Sequence, residues 1–209
     1  FGNIPPQKPP RPVHTVEPAQ SGEKRLWVHK AVSSPNLMIA YHVPETKSDE
    51  YYALDLLNDI LSKGKSSRLF STLINEKQLA TEVNTYLPLA FDPNLLYIYA
   101  VCRQDVTEEQ LEQAIYDVLD NIITKGVTDQ ELQKSKNRKL VDFYRSMETI
   151  SGRANKIGTY ELFFGSYTSL FDAPDQYKKV TASDIQTVAA KYLKKSNRTV
   201  GILKNLEEE

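Results

Sequence analysis

"SSRLFSTLINEKQLATEV", Ser66 to Val83, changes its hydrophobic period part-way, and that change decides the fold. From Arg68 to about Lys77 it reads as a short helix. From Thr81 the chain alternates, with Val83, Thr85, Leu87 and Leu89 on one face and Glu82, Asn84 and Tyr86 on the other. "LLYIYAVCR" resumes the strand composition after the turn "FDPN", so Thr81 to Arg103 reads as an antiparallel hairpin with one solvated face.

On the N-terminal side, Ala53, Leu56, Leu57, Ile60 and Leu61 recur at helical spacing, giving a helix from Asp49 to Ser62 that Gly64 stops. Before it, "KRLWVHKA" and "NLMIAYHV" have strand composition and are separated by a short Ser-Ser-Pro break. Antiparallel pairing across that break is the expectation. Leu37 to Ala40 is apolar on both parities, as suits an interior strand covered on both faces.

On the C-terminal side, Thr107 with Gln110 and Thr128 with Glu131 have capping-box spacing. Leu111, Ile115, Val118, Leu119, Ile122 and Ile123 supply the first of these helices with an apolar stripe. Helices over Asp129–Met147, Ile150–Phe164 and Ala182–Lys194 follow, the second stopped by Gly165 and the last capped by Thr181, before the closing strand "RTVGIL". The order β-β-α-α-β-β-α-α-α-α-β predicts an α+β fold, a mostly antiparallel sheet with helices packed on one face.

The 209 residues suffice for one sizeable core. Six of the eleven prolines fall in "FGNIPPQKPPRPVHTVEP", where missing amide donors oppose both helix and ladder. Residues 1–22 therefore read as an interdomain linker arm, 23–204 as the domain and 205–209 as a tail. A linker at the start leads us to expect a folded domain ahead of it. Twenty-six Lys and Arg against 27 Asp and Glu leave a net charge of −1, which supplies no field for a nucleic-acid backbone. No apolar run approaches the roughly 20 residues of a membrane span. A single cysteine, Cys102, marks neither periplasm nor cytoplasm.

The expected chemistry is sparse. His14 lies in the proline arm, and His29 and His42 fall on the first two strands, on the order of 13 Å apart if those strands pair directly. That is too far to share a metal. "KGKSS", Lys63 to Ser67, has the end of a phosphate-binding loop, but Asp59 stands where the pattern needs a glycine and a helix precedes it where a strand is required. It reads as a helix stop and polar turn. Cys102 has neither a histidine nor a second cysteine near it in sequence and reads as a packed side chain. Tyr97 and Tyr99 share one hairpin face, with Tyr86 near them, and are candidates for peptide contact. Arg68 is the other candidate, either anchoring its turn or facing substrate.

"YYALDLLNDILSKGKSSRLFSTLINEKQLATEV", with the proline arm before it and "VTASDIQTVAAKYLKKSNRTVGIL" at the end, resembles the second domain of the insulinase/pitrilysin family of zinc peptidases, which includes the mitochondrial processing peptidase. The resemblance covers Phe1 to Leu203. It implies a half-shell domain that closes a chamber over peptide substrates. Zinc, an H-x-x-E-H motif and its general-base glutamate are implied for the preceding domain and not for this one. Some relatives' second domains contribute an arginine and, seven positions later, a tyrosine that hold the peptide carbonyl. The family pattern "LFxxLREKxGLAYSV" laid on Leu69 to Val83 places Ile74 and Thr81 at those positions, and neither replaces the lost group. The resemblance thus implies no catalytic or metal residue here, a zinc-bearing N-terminal domain as companion, and a homologous bacterial partner subunit carrying the Arg/Tyr pair. The alternative is a catalytically dead structural homologue such as a respiratory core subunit.

Overall fold

The computed structural model describes residues 2–8, 10–11 and 17–206; His14 and parts of the 1–22 arm and 205–209 tail lie outside them. Strands β1 (Lys24–His29) and β2 (Asn36–Val43) come first, followed by helix α1 (Tyr51–Ser62). A single turn, α2 (Arg68–Phe70), continues as a π-helix over Ser71–Glu76 and leads into the hairpin of β3 (Ala80–Tyr86) and β4 (Asn94–Cys102). Helices α3 (Glu108–Lys125), α4 (Asp129–Ser146), α5 (Ile150–Phe163), α6 (Ser169–Lys179) and α7 (Ala182–Tyr192) precede a 3-10 turn at Lys195–Asn197 and β5 (Arg198–Lys204).

The five strands form one sheet in the order β1-β5-β2-β4-β3, antiparallel throughout except for the parallel pair β1 and β5. This is the α+β architecture expected from the periodicity. The hairpin is as expected too, with Val83 opposite Ala100 and Thr85 opposite Ile98. One pairing is corrected: β1 and β2 are not neighbours, because β5 slots between them. The six residues from Lys30 to Pro35 are long enough to step over one strand, and they carry none of the φ > 0 turn residues that would close a tight hairpin.

Leu37, Ile39, Tyr41 and Val43 of β2 point into the helical layer and are fully buried or nearly so. Their neighbour Met38 points the other way and is 45% exposed, so the expectation of a strand covered on both faces is corrected. Among the described residues no second layer covers that side of the sheet. Helix α1 lies at the centre of the covered side, with every residue from Ala53 to Ser62 buried. Being buried all round, it carries polar groups inward, and its two carboxylates are paired, while Asn58 Oδ1 is buried without a hydrogen-bond partner among the described residues. Asp55 binds Lys139 Nζ at 2.9 Å and the Tyr177 hydroxyl at 2.6 Å. Asp59 accepts from Arg138 at 3.2 Å and from the Ser135 hydroxyl at 3.1 Å. Burial raises the Asp59 carboxyl above its ordinary range, against the pull of Lys139 and Arg138.

Both capping boxes form as the sequence reads: Thr107 and Gln110 exchange side-chain and backbone bonds at the start of α3, as Thr128 and Glu131 do at α4. Thr181 caps α7 with Asp184. Helix α6 is the element absent from the sequence reading. Pro174 sits inside it, where the missing amide and ring clash cost about 3 kcal/mol. Leu170, Ala173, Pro174 and Tyr177 are buried along one side, and their packing outweighs the broken propensity.

Candidate functional site

The short helix before β3 carries two apolar pairs on adjacent faces. Leu69 and Leu73, four apart, are wholly buried in the core. Phe70 and Ile74, also four apart, face a cleft of about 270 Å³ between the α1–α2 turn and the outer edge of β3. The π-helical winding is recorded in the Lys77 amide, which donates to the Thr72 carbonyl five residues back at 2.9 Å. Gln78 then leaves the helix at φ +53°, a left-handed conformation that only glycine takes without cost.

Across the cleft, β3 carries a bulge. Its register steps from Ala80 opposite Cys102 to Glu82 opposite Val101, so Thr81 has no partner residue. Thr81 and Glu82 are consequently both exposed, and Thr81 lines the same cleft as Ile74. Phe70, Ile74 and Val83 make the apolar part of the lining, and the polar part includes Ser62, Lys65, Thr81, Glu82 and Asn84. The Thr81 hydroxyl reaches the Val101 carbonyl at 3.5 Å, the outer limit of a hydrogen bond. The edge itself is held to α1: the Thr85 amide donates to Ser62 Oγ at 3.0 Å, and the Thr85 hydroxyl donates to the Asn58 carbonyl at 3.0 Å. The resemblance singled out Ile74 and Thr81 as positions that lack the Arg/Tyr pair, and the sequence reading passed over Phe70 and the Ser62–Thr85 pair. The four-residue spacing of Phe70 and Ile74 was the available signal.

The three tyrosines meet on the uncovered sheet face. Tyr86 stands directly opposite Tyr97, and Tyr99 opposite Asn84 on one side and Met38 on the other. Tyr86 is largely exposed, while Tyr99 donates its hydroxyl to Asn36 Oδ1 at 2.8 Å. Arg68 is elsewhere. Its Nε and Nη2 donate to the two oxygens of Glu131 at 2.7 and 2.8 Å, Nη2 also reaches the Gly126 carbonyl at 3.0 Å, and Nη1 reaches Asn121 Oδ1 at 3.2 Å. It clamps the α3–α4 connection to the start of α2.

Cys102 is fully buried, and burial followed by the nearby Glu108 and Glu109 pushes its thiol up to about 11. It carries no thiolate near neutral pH. His29 is level with Lys204 on β5, and His42 lies opposite Leu95, where its Nε2 meets Gln20 Oε1 at 3.2 Å. With β5 between their strands, they stand further apart than direct pairing predicts. Among the described residues no three His, Cys, Asp or Glu side chains are grouped to hold a metal ion.

Residues 1–139 match the family described as Peptidase M16 inactive domain. This chain belongs to that family. The zinc protease PqqE of Helicobacter pylori is 31% identical over 189 residues, which make up 90% of this chain and 42% of that protein. The M16 domain therefore spans less than half the length of this curated relative. The crystal structure of a protease from Helicobacter pylori matches it with a TM-score of 0.88 at 29% identity, over 97% of this chain and 49% of that one. The M16 inactive domain from Pseudomonas fluorescens shares the fold, with a TM-score of 0.80 at 20% identity over 97% of this chain and 48% of that one. Relatives of the M16 domain thus carry zinc in their names, whereas the donor set described above does not fit a zinc ion.

Proposed function

We propose that this M16 domain is the catalytically silent half of a zinc endopeptidase and closes the chamber over extended peptides. The observation that carries the reading is the meeting of Ile74 and Thr81 in one cleft. On the resemblance, they stand at the positions where the second domains of some relatives hold a peptide carbonyl, and they bring an aliphatic chain and a short hydroxyl where a guanidinium and a phenol would be needed. In this reading zinc belongs to a companion N-terminal half of a longer protein, joined through the 1–22 arm, and a homologous partner subunit supplies the Arg/Tyr pair. Peptide contacts on this domain fall to Tyr86, Tyr97 and Tyr99, whose uncovered face adjoins the cleft. Arg68 enters as the residue that holds the turn.

The test uses the longer protein that contains this domain, with an unstructured fluorogenic peptide as substrate. The domain alone is expected to show no hydrolysis. The longer protein is expected to cleave efficiently only when paired with a subunit bearing the Arg/Tyr pair, and Tyr97→Ala with Tyr99→Ala is expected to raise KM several-fold. Full activity of the longer protein as a lone monomer sinks the reading. Inactivity with every homologous partner transfers the domain to the structural, non-catalytic relatives.

A further inference from the structure

A second cleft lies behind the Lys63–Ser67 turn, on the opposite side from Ile74, between the end of α1 and helix α4. Its two carboxylates are already matched. Asp59 is held by Arg138 and Ser135, and Glu131 by the fork of Arg68. Two ammonium groups are not. Lys134 reaches only the Ser66 hydroxyl, and Lys63 meets no carboxylate among the described residues. Ser67 lines the same cleft at 5% exposure, and its hydroxyl is buried without a hydrogen-bond partner among the described residues. Buried polar atoms left in that state are rare and costly.

The size of the cleft restricts what meets that hydroxyl. Its cavity is about 20 Å³. A single oxygen needs roughly 10–15 Å³, so the inner end admits one oxygen atom and the rest of any occupant stays at the mouth, beside Lys63 and Lys134. Donors come from three segments: Lys63 at the end of α1, Ser66 and Ser67 in the turn, and Lys134 with Arg138 on α4. Gly64, at φ +86°, makes room for this arrangement, since a Cβ there would lie 3.2 Å from the Arg138 guanidinium. Charged and neutral donors converging on one oxygen-sized space, with cations in excess, fit a group that has several anionic oxygens.

From this we infer that the cleft of Ser66, Ser67, Lys134 and Arg138 binds the oxygens of a dianionic phosphoryl group. The run "KGKSS" then contacts phosphate oxygens without being a nucleotide-binding loop, because it lacks the strand and the first glycine of one. The inference stands apart from the peptidase reading and survives its failure.

The test follows backbone amide shifts of Ser66 and Ser67 in the full chain during titration with inorganic phosphate, and separately with a phosphoserine peptide, against sodium chloride at equal ionic strength. Saturable shifts with either phosphate source and none with chloride are the expected result. Free phosphate alone identifies the small anion as ligand, and the peptide alone identifies a phosphorylated protein segment. Ser67→Ala and Lys134→Gln are each expected to weaken binding at least tenfold, while Tm in phosphate-free buffer is no lower than that of the parent. Lys134 is at the surface, so its variant keeps the test valid should Ser67→Ala fold poorly. Shifts that chloride reproduces, or affinity unchanged in Lys134→Gln, overturn the inference and leave a cleft that holds only water.

Discussion

The guanidinium of Arg68 and the carboxylate of Glu131 meet as a two-pronged fork, 63 residues apart in sequence. The fork ties the start of the cleft-forming helix to the first turn of α4. Replacing Arg68 with Met removes both bonds and the bond to the Gly126 carbonyl. The expected loss is about 2 kcal/mol in urea unfolding, and Arg68→Lys is expected to retain less than half of the stabilisation because an ammonium cannot make the fork.

That pair also sets an acid sensitivity. The hydrogen bond from Arg68, helped by the Thr128 amide and hydroxyl and opposed by burial, holds the Glu131 carboxyl at about 2 against an ordinary 4.5. A carboxyl lowered on folding stabilises fully above about 4.5 and loses that contribution as pH falls towards 2. The stability gap between parent and Arg68→Met, followed by denaturant midpoint, is therefore expected to be constant above pH 5 and to shrink below it.

Gln78 holds a left-handed backbone at φ +53° with a side chain attached. Glycine there removes a clash of roughly 1–2 kcal/mol, offset in part by unfolded-chain entropy and by the lost bond from Arg103. The expected net gain for Gln78→Gly is about 0.5–1 kcal/mol, read as a higher Tm. A lower Tm contradicts the strain assignment.

Leu73 and Ile74 are adjacent but differently placed: Leu73 is wholly buried in the core, whereas Ile74 is half-buried, packing against the core's edge and lining the cleft. Leu73→Ala is expected to cost about 3 kcal/mol and Ile74→Ala about 1 kcal/mol. Equal costs would mean that the π-helical winding does not orient this segment as described.

What was legible in the sequence was local. The Thr107–Gln110 and Thr128–Glu131 boxes and the alternation of Val83 and Thr85 each depend on residues a few positions apart, and each is present. Three features depended on distant partners. Helix α6 forms despite Pro174 because its buried side packs on the rest of the core. The place of β5 between β1 and β2 is a choice among edges that no local pattern encodes. The bulge at Thr81, which brings that residue beside Ile74, follows from the register against β4. At the candidate site, resemblance identified the two positions, and only the folded backbone showed that they share a cleft. The unpartnered Ser67 hydroxyl left no mark in the sequence, since it arises from what α4 fails to offer it.

The insertion of β5 fixes a schedule for assembly. Lys24 finds its ladder neighbour at Thr199, so the opening strand stays single until nearly the whole domain has left the ribosome. Throughout that wait the flank of β2 is bare, and its Leu37–Ala40 run is a template for the wrong strand. A nascent chain halted before Arg198 is thus expected to need a chaperone, and the arrival of β5 is the event that releases it.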